Sequence, residues 1–348
     1  MHHPPLRSVA LGLALGLAGL CAIPASAVQD GGAIAEPRGF ALGDSGFVAG
    51  GYVVGQAGAY RDADPGASLR SLSLLLSWQG SGRWSAFGEL EAENLLTANA
   101  GALEDDKDVE LVLERLHVDY AWSDALQLRL GKFLTPVGRW NVIHAAPLTW
   151  TTSRPLITDH SFPTNVTGGM LHGVVPVGGR ALEWSLYTSP GEELAPEDGS
   201  ERFRRAYGVR VDYPLGPGLK VGGSFLKFQP DTQPADHKTL YGLDFLWQYR
   251  RFELSGEWAW RSQGHADSGT DGRGAYVQAV VPLTQTLYGV ARHESFEPAG
   301  AGRDLDLAIG GLAWRFSPGW VGKLEYRHAS DNALGVRSGW LGSVAVLF

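Results

Sequence analysis

Hydrophobic residues recur at every second position over much of this chain, and the runs they form are cut by connections that are alternately short and long. Leu126, Leu128 and Leu130 alternate with Gln127 and Arg129, and Leu72, Leu74, Leu76 and Trp78 with Ser71, Ser73 and Ser77. Successive side chains of a strand leave it on opposite sides, so a period of two describes strands with one greasy and one wet face. The same parity sets Tyr241, Leu243, Phe245, Trp247 and Tyr249 against Asp244 and Gln248, and Phe252, Leu254, Trp258 and Trp260 against Glu253, Glu257 and Arg261. Sixteen strands are predicted, at 47–59, 69–78, 84–95, 109–122, 126–134, 167–175, 181–188, 203–213, 219–228, 239–249, 252–261, 273–282, 287–295, 305–316, 320–329 and 337–348. Val109 to Leu113 is apolar on both faces, which reads either as wall packed by a folded-in loop or as strand beyond a membrane.

Short turns fall near residues 79–83, 123–124, 177–179, 216–218, 250–251, 284–286 and 317–319, and aromatic residues gather beside them: Trp78, Trp84, Trp122, Tyr213, Trp247, Tyr249, Phe252, Phe316 and Trp320. Short turns at one end, long loops at the other and an aromatic belt are the pattern of an antiparallel transmembrane β-barrel, whose even strand count brings both ends of the wall to one side. The final run agrees, with Trp340, Val344, Val346 and Phe348 on the lipid-facing parity. In barrels of this class a terminal aromatic such as Phe348 is what the barrel-assembly machinery reads.

His2, His3 and Arg7 precede an apolar stretch of about a dozen residues and then Ala25-Ser26-Ala27, which reads as a cleaved signal peptide over residues 1–27. An apolar core of that length is too short to span ~30 Å of hydrocarbon as a helix. Residues 28–46 are then a short periplasmic segment and 47–348 the barrel. The one cysteine, Cys21, lies inside the signal, so the mature chain has no disulfide, and a closed barrel supplies its own hydrogen bonding instead. The formal charge of −8 is spread along the chain and gives no sign of nucleic-acid binding. Together these readings place the chain in the bacterial outer membrane, among lipid and lipopolysaccharide.

The longest connection, about 135–166, is too rich in Trp, Pro and Ile for a floppy excursion, so the third extracellular loop is expected to fold into the lumen and narrow it; lying over the mouth or against a neighbouring subunit is the alternative. Here the run Gly131-Lys-Phe-Leu-Thr-Pro-Val-Gly-Arg-Trp-Asn141, followed by His144, Pro147 and Arg154-Pro155, resembles the phosphate-selective porin O/P-like family of outer-membrane porins. That resemblance implies a sixteen-stranded, usually homotrimeric porin whose third loop lines the constriction. It covers about 40 residues, and the dense basic ladder of the phosphate-selective members is missing here.

The lumenal parity instead mixes Arg115, Arg129, Arg210, Lys220, Arg261, Lys323 and Arg327 with Glu89, Glu91, Glu93, Asp119, Asp212, Asp244, Glu253, Glu257 and Glu325. Opposed charges across a wet pore create a transverse field that orients dipolar solutes, whereas a one-signed ring selects ions. More than half of these charges are expected to pair across strands. Arg139, His144 and Arg154 in the loop, with Arg115, Arg129, Asp119 and Glu91 on the wall, are the candidate constriction residues; the rival reading has the loop arginines holding the loop by salt bridges to wall acids. Lys132 has outward parity, so its role depends on a bulge near Gly131 or on lying above the membrane. His144, Asp159 and His160 match no metal-ligand spacing, and the acidic run 104–108 lacks the glycine and terminal glutamate of a calcium loop. No Gly-x-Ser-x-Gly elbow occurs, and His117 and His328 lie far apart in strand order. The expected function is passive diffusion of small hydrophilic solutes or ions, anions such as phosphate among them, with no cofactor and no catalysis. A receptor or adhesin barrel is the alternative, and an outer-membrane hydrolase a more remote one.

Overall fold

The computed structural model describes residues 39–98, 109–143, 145–191, 193–196, 201–232, 236–262, 272–298, 304–330 and 334–348. Sixteen strands, each antiparallel to its neighbours in the chain, make the wall: β2 (Phe47–Tyr60), β3 (Gly66–Gln79), β4 (Trp84–Ala98), β5 (Glu110–Ser123), β6 (Leu126–Leu134), β7 (Asn165–Val177), β8 (Arg180–Ser189), β9 (Phe203–Gly216), β10 (Leu219–Pro230), β11 (Lys238–Tyr249), β12 (Phe252–Ser262), β13 (Gly272–Pro282), β14 (Leu287–Glu297), β15 (Leu305–Ser317), β16 (Trp320–Ser330) and β17 (Gly339–Leu347). β17 pairs back onto β2, with Gly339 opposite Tyr60 and Leu347 opposite Tyr52, so the sheet closes. Closure satisfies the backbone of every barrel strand, which hydrocarbon requires.

Every predicted span coincides with one of these strands to within three residues at either end. One strand was not foreseen: β1 (Gly39–Ala41), inside the segment read as a periplasmic lead-in. It pairs with residues 48–50 of β2, beyond the point where β17 gives out. The signal peptide and the acidic run 104–108 lie outside the described residues, as does His144.

Leu74, Leu130, Leu186, Leu243 and Val277 stand exposed on the outer surface, an arrangement that suits lipid and not water. Aromatic rings cluster next to the short turns: Trp84 with Tyr120 and Trp122, Trp247 with Tyr249 and Phe252, and Trp314 with Phe316 and Trp320. These are the side chains of an interfacial belt.

The inner face departs from simple alternation in two ways. In β5, Glu89 pairs with Arg115 and Leu90 with Leu113, so Glu114 is an extra residue that flips the parity of the strand. Val112 therefore turns inward, while Val109 and Leu111 are exposed outside. This bulge accounts for the run that looked apolar on both faces. Near the extracellular end, moreover, the inner wall itself is greasy. Leu226, Phe228, Leu240, Leu305, Leu307 and Ile309 are buried there with Leu156, Ile157 and Phe162 of the third loop. The expectation that leucines face lipid and polar residues the lumen fails in this sector, because the lumen there is filled by protein and not by water. Each such side chain contributes roughly 1.5–3 kcal/mol by leaving water.

Candidate constriction of the pore

The β6–β7 connection enters the lumen through residues that the resemblance singled out, and each has an architectural reason to be there. Gly131 has φ +131°, and a Cβ there would run into the Leu116 carbonyl, so only glycine lets β6 pass close to β5 at this point. Beyond it the neck of the loop is pinched shut. Thr135 N–H donates to the Thr164 carbonyl (2.8 Å) and its hydroxyl to the Pro163 carbonyl (2.7 Å). The fully buried Asn141 Nδ2 donates to the carbonyls of Thr135 (2.8 Å) and Thr164 (3.0 Å). Gly138 turns the chain with φ +62° against the Glu257 carboxylate, leaving no space for a side chain.

The loop is then held along one half of the wall, β10 to β17, through its own backbone. Glu257 on β12 accepts the Trp140 N–H (2.6 Å), Glu294 on β14 that of Leu156 (2.7 Å), and Glu325 on β16 those of Thr152 (2.8 Å) and Ser153 (3.1 Å). Cations serve the carbonyls. Lys323 donates to Ala146 O (2.7 Å) and Thr151 O (3.0 Å), Arg292 to Ser153 O (3.1 Å), and Arg315 to Pro147 O and Leu148 O (both 3.3 Å). Arg315 also lies 4.3 Å from the Trp150 ring centre. Charged partners make the stronger class of hydrogen bond, so a polar backbone segment is anchored inside the barrel without strand pairing.

Because the loop is fixed to that half, the open space lies between it and the opposite half, β2 to β5. A cavity of about 870 Å³ remains. On the β4–β5 side Glu91, Glu93 and Glu114 converge, with carboxylate oxygens all within 4.8 Å of one another. Tyr52 OH sits 3.2 Å from Glu89 and 3.5 Å from Glu91. The triad is near enough to share a passing cation. Arg70, Arg327 and Arg337 reach the same cavity, as does Arg154 from the loop. The full lining carries six acidic and six basic side chains, so neither sign dominates.

The residues named from sequence occupy different places. Glu91 and Arg154 line the cavity, and Arg154 Nε is held 2.8 Å from Asp159 of its own loop and not by a wall acid. Arg139 is half-buried, does not border the cavity, and has no hydrogen bond or ion pair among the described residues. Arg115 pairs with Glu89 (2.6 Å) over the Phe87 ring. Asp119 is gripped by Arg129 (2.7 Å) and faces His117 Nδ1 at 2.9 Å and His172 Nε2 at 3.9 Å. Arg115, Arg129 and Asp119 thus form a paired wall outside the cavity lining. Lys132 shows no register shift beside it; it is buried under the β8–β9 connection, paired with Glu193 at 2.6 Å.

The sequence reading missed Glu114, Arg70 and Arg337 of the lining and Arg292, Glu294 and Arg315 of the anchors. Two adjacent charges, Glu114-Arg115, inside an alternating strand were the available signal for the bulge that brings Glu114 inward.

No family model matches the chain. A protein from Aquifex aeolicus described as uncharacterized is 25% identical over 213 residues, which is 56% of this chain; the chain spans about half, 47%, of that relative. Among solved structures it is similar to the anion-selective porin of Comamonas acidovorans (14% identity, TM-score 0.58, 86% of this chain and 98% of that one). It is also similar to Salmonella typhi OmpF in complex with daunomycin (13%, TM-score 0.61, 87% and 97%) and to the outer membrane channel DcaP of Acinetobacter baumannii (11%, TM-score 0.59, 89% and 99%). Identities this low carry the fold alone. The architecture is that of a porin-type barrel of sixteen strands, and its lipid-facing exterior places the chain in the bacterial outer membrane.

Proposed function

We propose that the protein is a passive channel for small hydrophilic solutes, and that the cavity between the anchored loop and β2–β5 is its constriction. The observation that carries this reading is the hydrogen-bonding of the loop to the wall of β10 to β17, which leaves beside it a cavity with carboxylates on the β4–β5 side and guanidinium groups around it. Such a lining acts on dipolar solutes through a transverse field. Mixed signs support unselective passage better than phosphate capture, which calls for a lining of one sign. The channel performs no chemical step, and solutes cross down their own gradients.

A homotrimer is part of the same proposal; one of the similar structures is described as a trimer form of OmpT, an outer membrane protein of Vibrio cholerae. Refolded protein in a planar bilayer tests both. Discrete conductance steps with closure in threes are expected, and a correctly folded barrel that never conducts would overturn the channel in favour of a receptor or a hydrolase.

A further inference from the structure

On the outside of the barrel, at the extracellular end of β8 to β10, there are cations whose side chains have no partner among the described residues. Tyr207, Phe225, Tyr241 and Trp260 form a row of rings across β9 to β12, with successive centroids 6.4, 5.4 and 5.7 Å apart. Aromatic rows of this kind sit at the level of lipid headgroups. Arg205 has the outward parity of Tyr207 and lies two residues further toward the extracellular rim; Lys227 has the parity of Phe225 and lies opposite Tyr207. With Thr188, Pro190 and His237 they border an outward groove of about 460 Å³. Among the described residues neither the Arg205 nor the Lys227 side chain makes a hydrogen bond or ion pair.

An outward cation elsewhere on the rim is treated differently: Arg273 Nε lies 2.8 Å from Glu297. A cation on the lipid-facing side of a barrel is costly unless it meets an anion at the headgroup level. Phosphate fits both groups here, since a guanidinium offers it a planar fork and an ammonium a point charge. The aromatic rings just below offer a floor for the apolar part of the same molecule.

We propose that this groove binds the phosphorylated saccharide headgroup of an outer-leaflet lipid. The proposal rests on the chain's place in the membrane and is independent of whether the pore conducts.

The test is native mass spectrometry of the detergent-purified full-length protein titrated with purified lipid A. Wild type is expected to retain the lipid and Arg205→Ala/Lys227→Ala to bind it about 30-fold more weakly, two basic residues at the membrane surface being worth that much. Arg273→Ala, whose charge already has a partner, is expected to bind as wild type does. Heat-resistant migration of the barrel confirms folding, and Lys227→Gln alone, expected to bind about fivefold more weakly, replaces the double variant should it fail to fold. Unchanged lipid A binding in the folded variant overturns the site, as does a groove that takes inorganic phosphate while lipid A binding stays the same.

Discussion

The carboxylate of Glu257 accepts the backbone N–H of Trp140 at 2.6 Å, across 117 residues of sequence, and shares the same oxygen with the Tyr276 hydroxyl at 2.8 Å. A side chain of the wall thereby fixes the position of a loop that has no strand to pair with. Glu257→Ala is expected to weaken this anchor by about 2–3 kcal/mol, since it removes a charge-assisted bond and leaves a buried N–H unpaired. In single-channel recording the variant should show larger open conductance and more open-state noise. A trace identical to wild type would mean the loop is held without this contact.

Gly138→Ala attacks the same junction from the other side. The residue sits at φ +62° with its α-carbon turned toward Glu257, so the added methyl meets both backbone strain and a carboxylate. Strain of this type costs roughly 1–3 kcal/mol. The barrel should fold and resist heat as before, while trypsin gains access to Arg139 or Arg154. Equal digestion of variant and wild type is the contrary result.

Charge at the cavity makes a two-signed prediction. Arg154→Ala should move the reversal potential toward cation preference, and Glu91→Gln with Glu93→Gln toward anion preference, because all three side chains border the open space. Arg139→Ala should shift it little, as that side chain lies away from the cavity. Both shifts should shrink in 1 M salt, where the screening length falls to about 3 Å. Equal effects of Arg139 and Arg154 would place the constriction elsewhere in the loop.

Lys132 and Glu193 tie β6 to the β8–β9 connection, and Lys132 is 1% exposed. Lys132→Met keeps the volume and removes the charge. Amide hydrogen exchange at 193–195 should then speed up at least severalfold, with exchange in β6 unchanged below Gly131. Protection equal to wild type in that segment would show the pair to be incidental.

The strands were readable because period-two alternation and turn residues report directly on pleat and lipid. Leu126, Leu128 and Leu130 needed no tertiary information to be placed. What failed was parity across bulges: Arg70 lies at the register shift between Leu69 and Ser71, and Glu114 at the one opposite Glu89 and Leu90, so two residues of the cavity lining could not be assigned a face. The inner leucines of β10, β11 and β15 failed for a different reason, since what they touch is a loop whose path no local pattern encodes. The run from Gly131 to Asn141 was legible as something unusual, but its reasons, a close approach, a pinched neck and a turn against Glu257, exist only in three dimensions.

The loop engages its anchors mostly through main-chain N–H and carbonyl groups, which are the same whatever residues the loop carries. Substitutions inside the loop therefore leave much of its suspension intact, and substitutions on β3 and β4 spare the wall groups that hold it. The barrel is in effect two instruments in one tube: a fixed mount on one side, and on the other a panel whose charges can be exchanged one by one. On the proposed reading, a pore built in this way can be retuned to a new diet of solutes by a few replacements at Arg70, Glu91 or Glu93, without redesign of the wall that supports it.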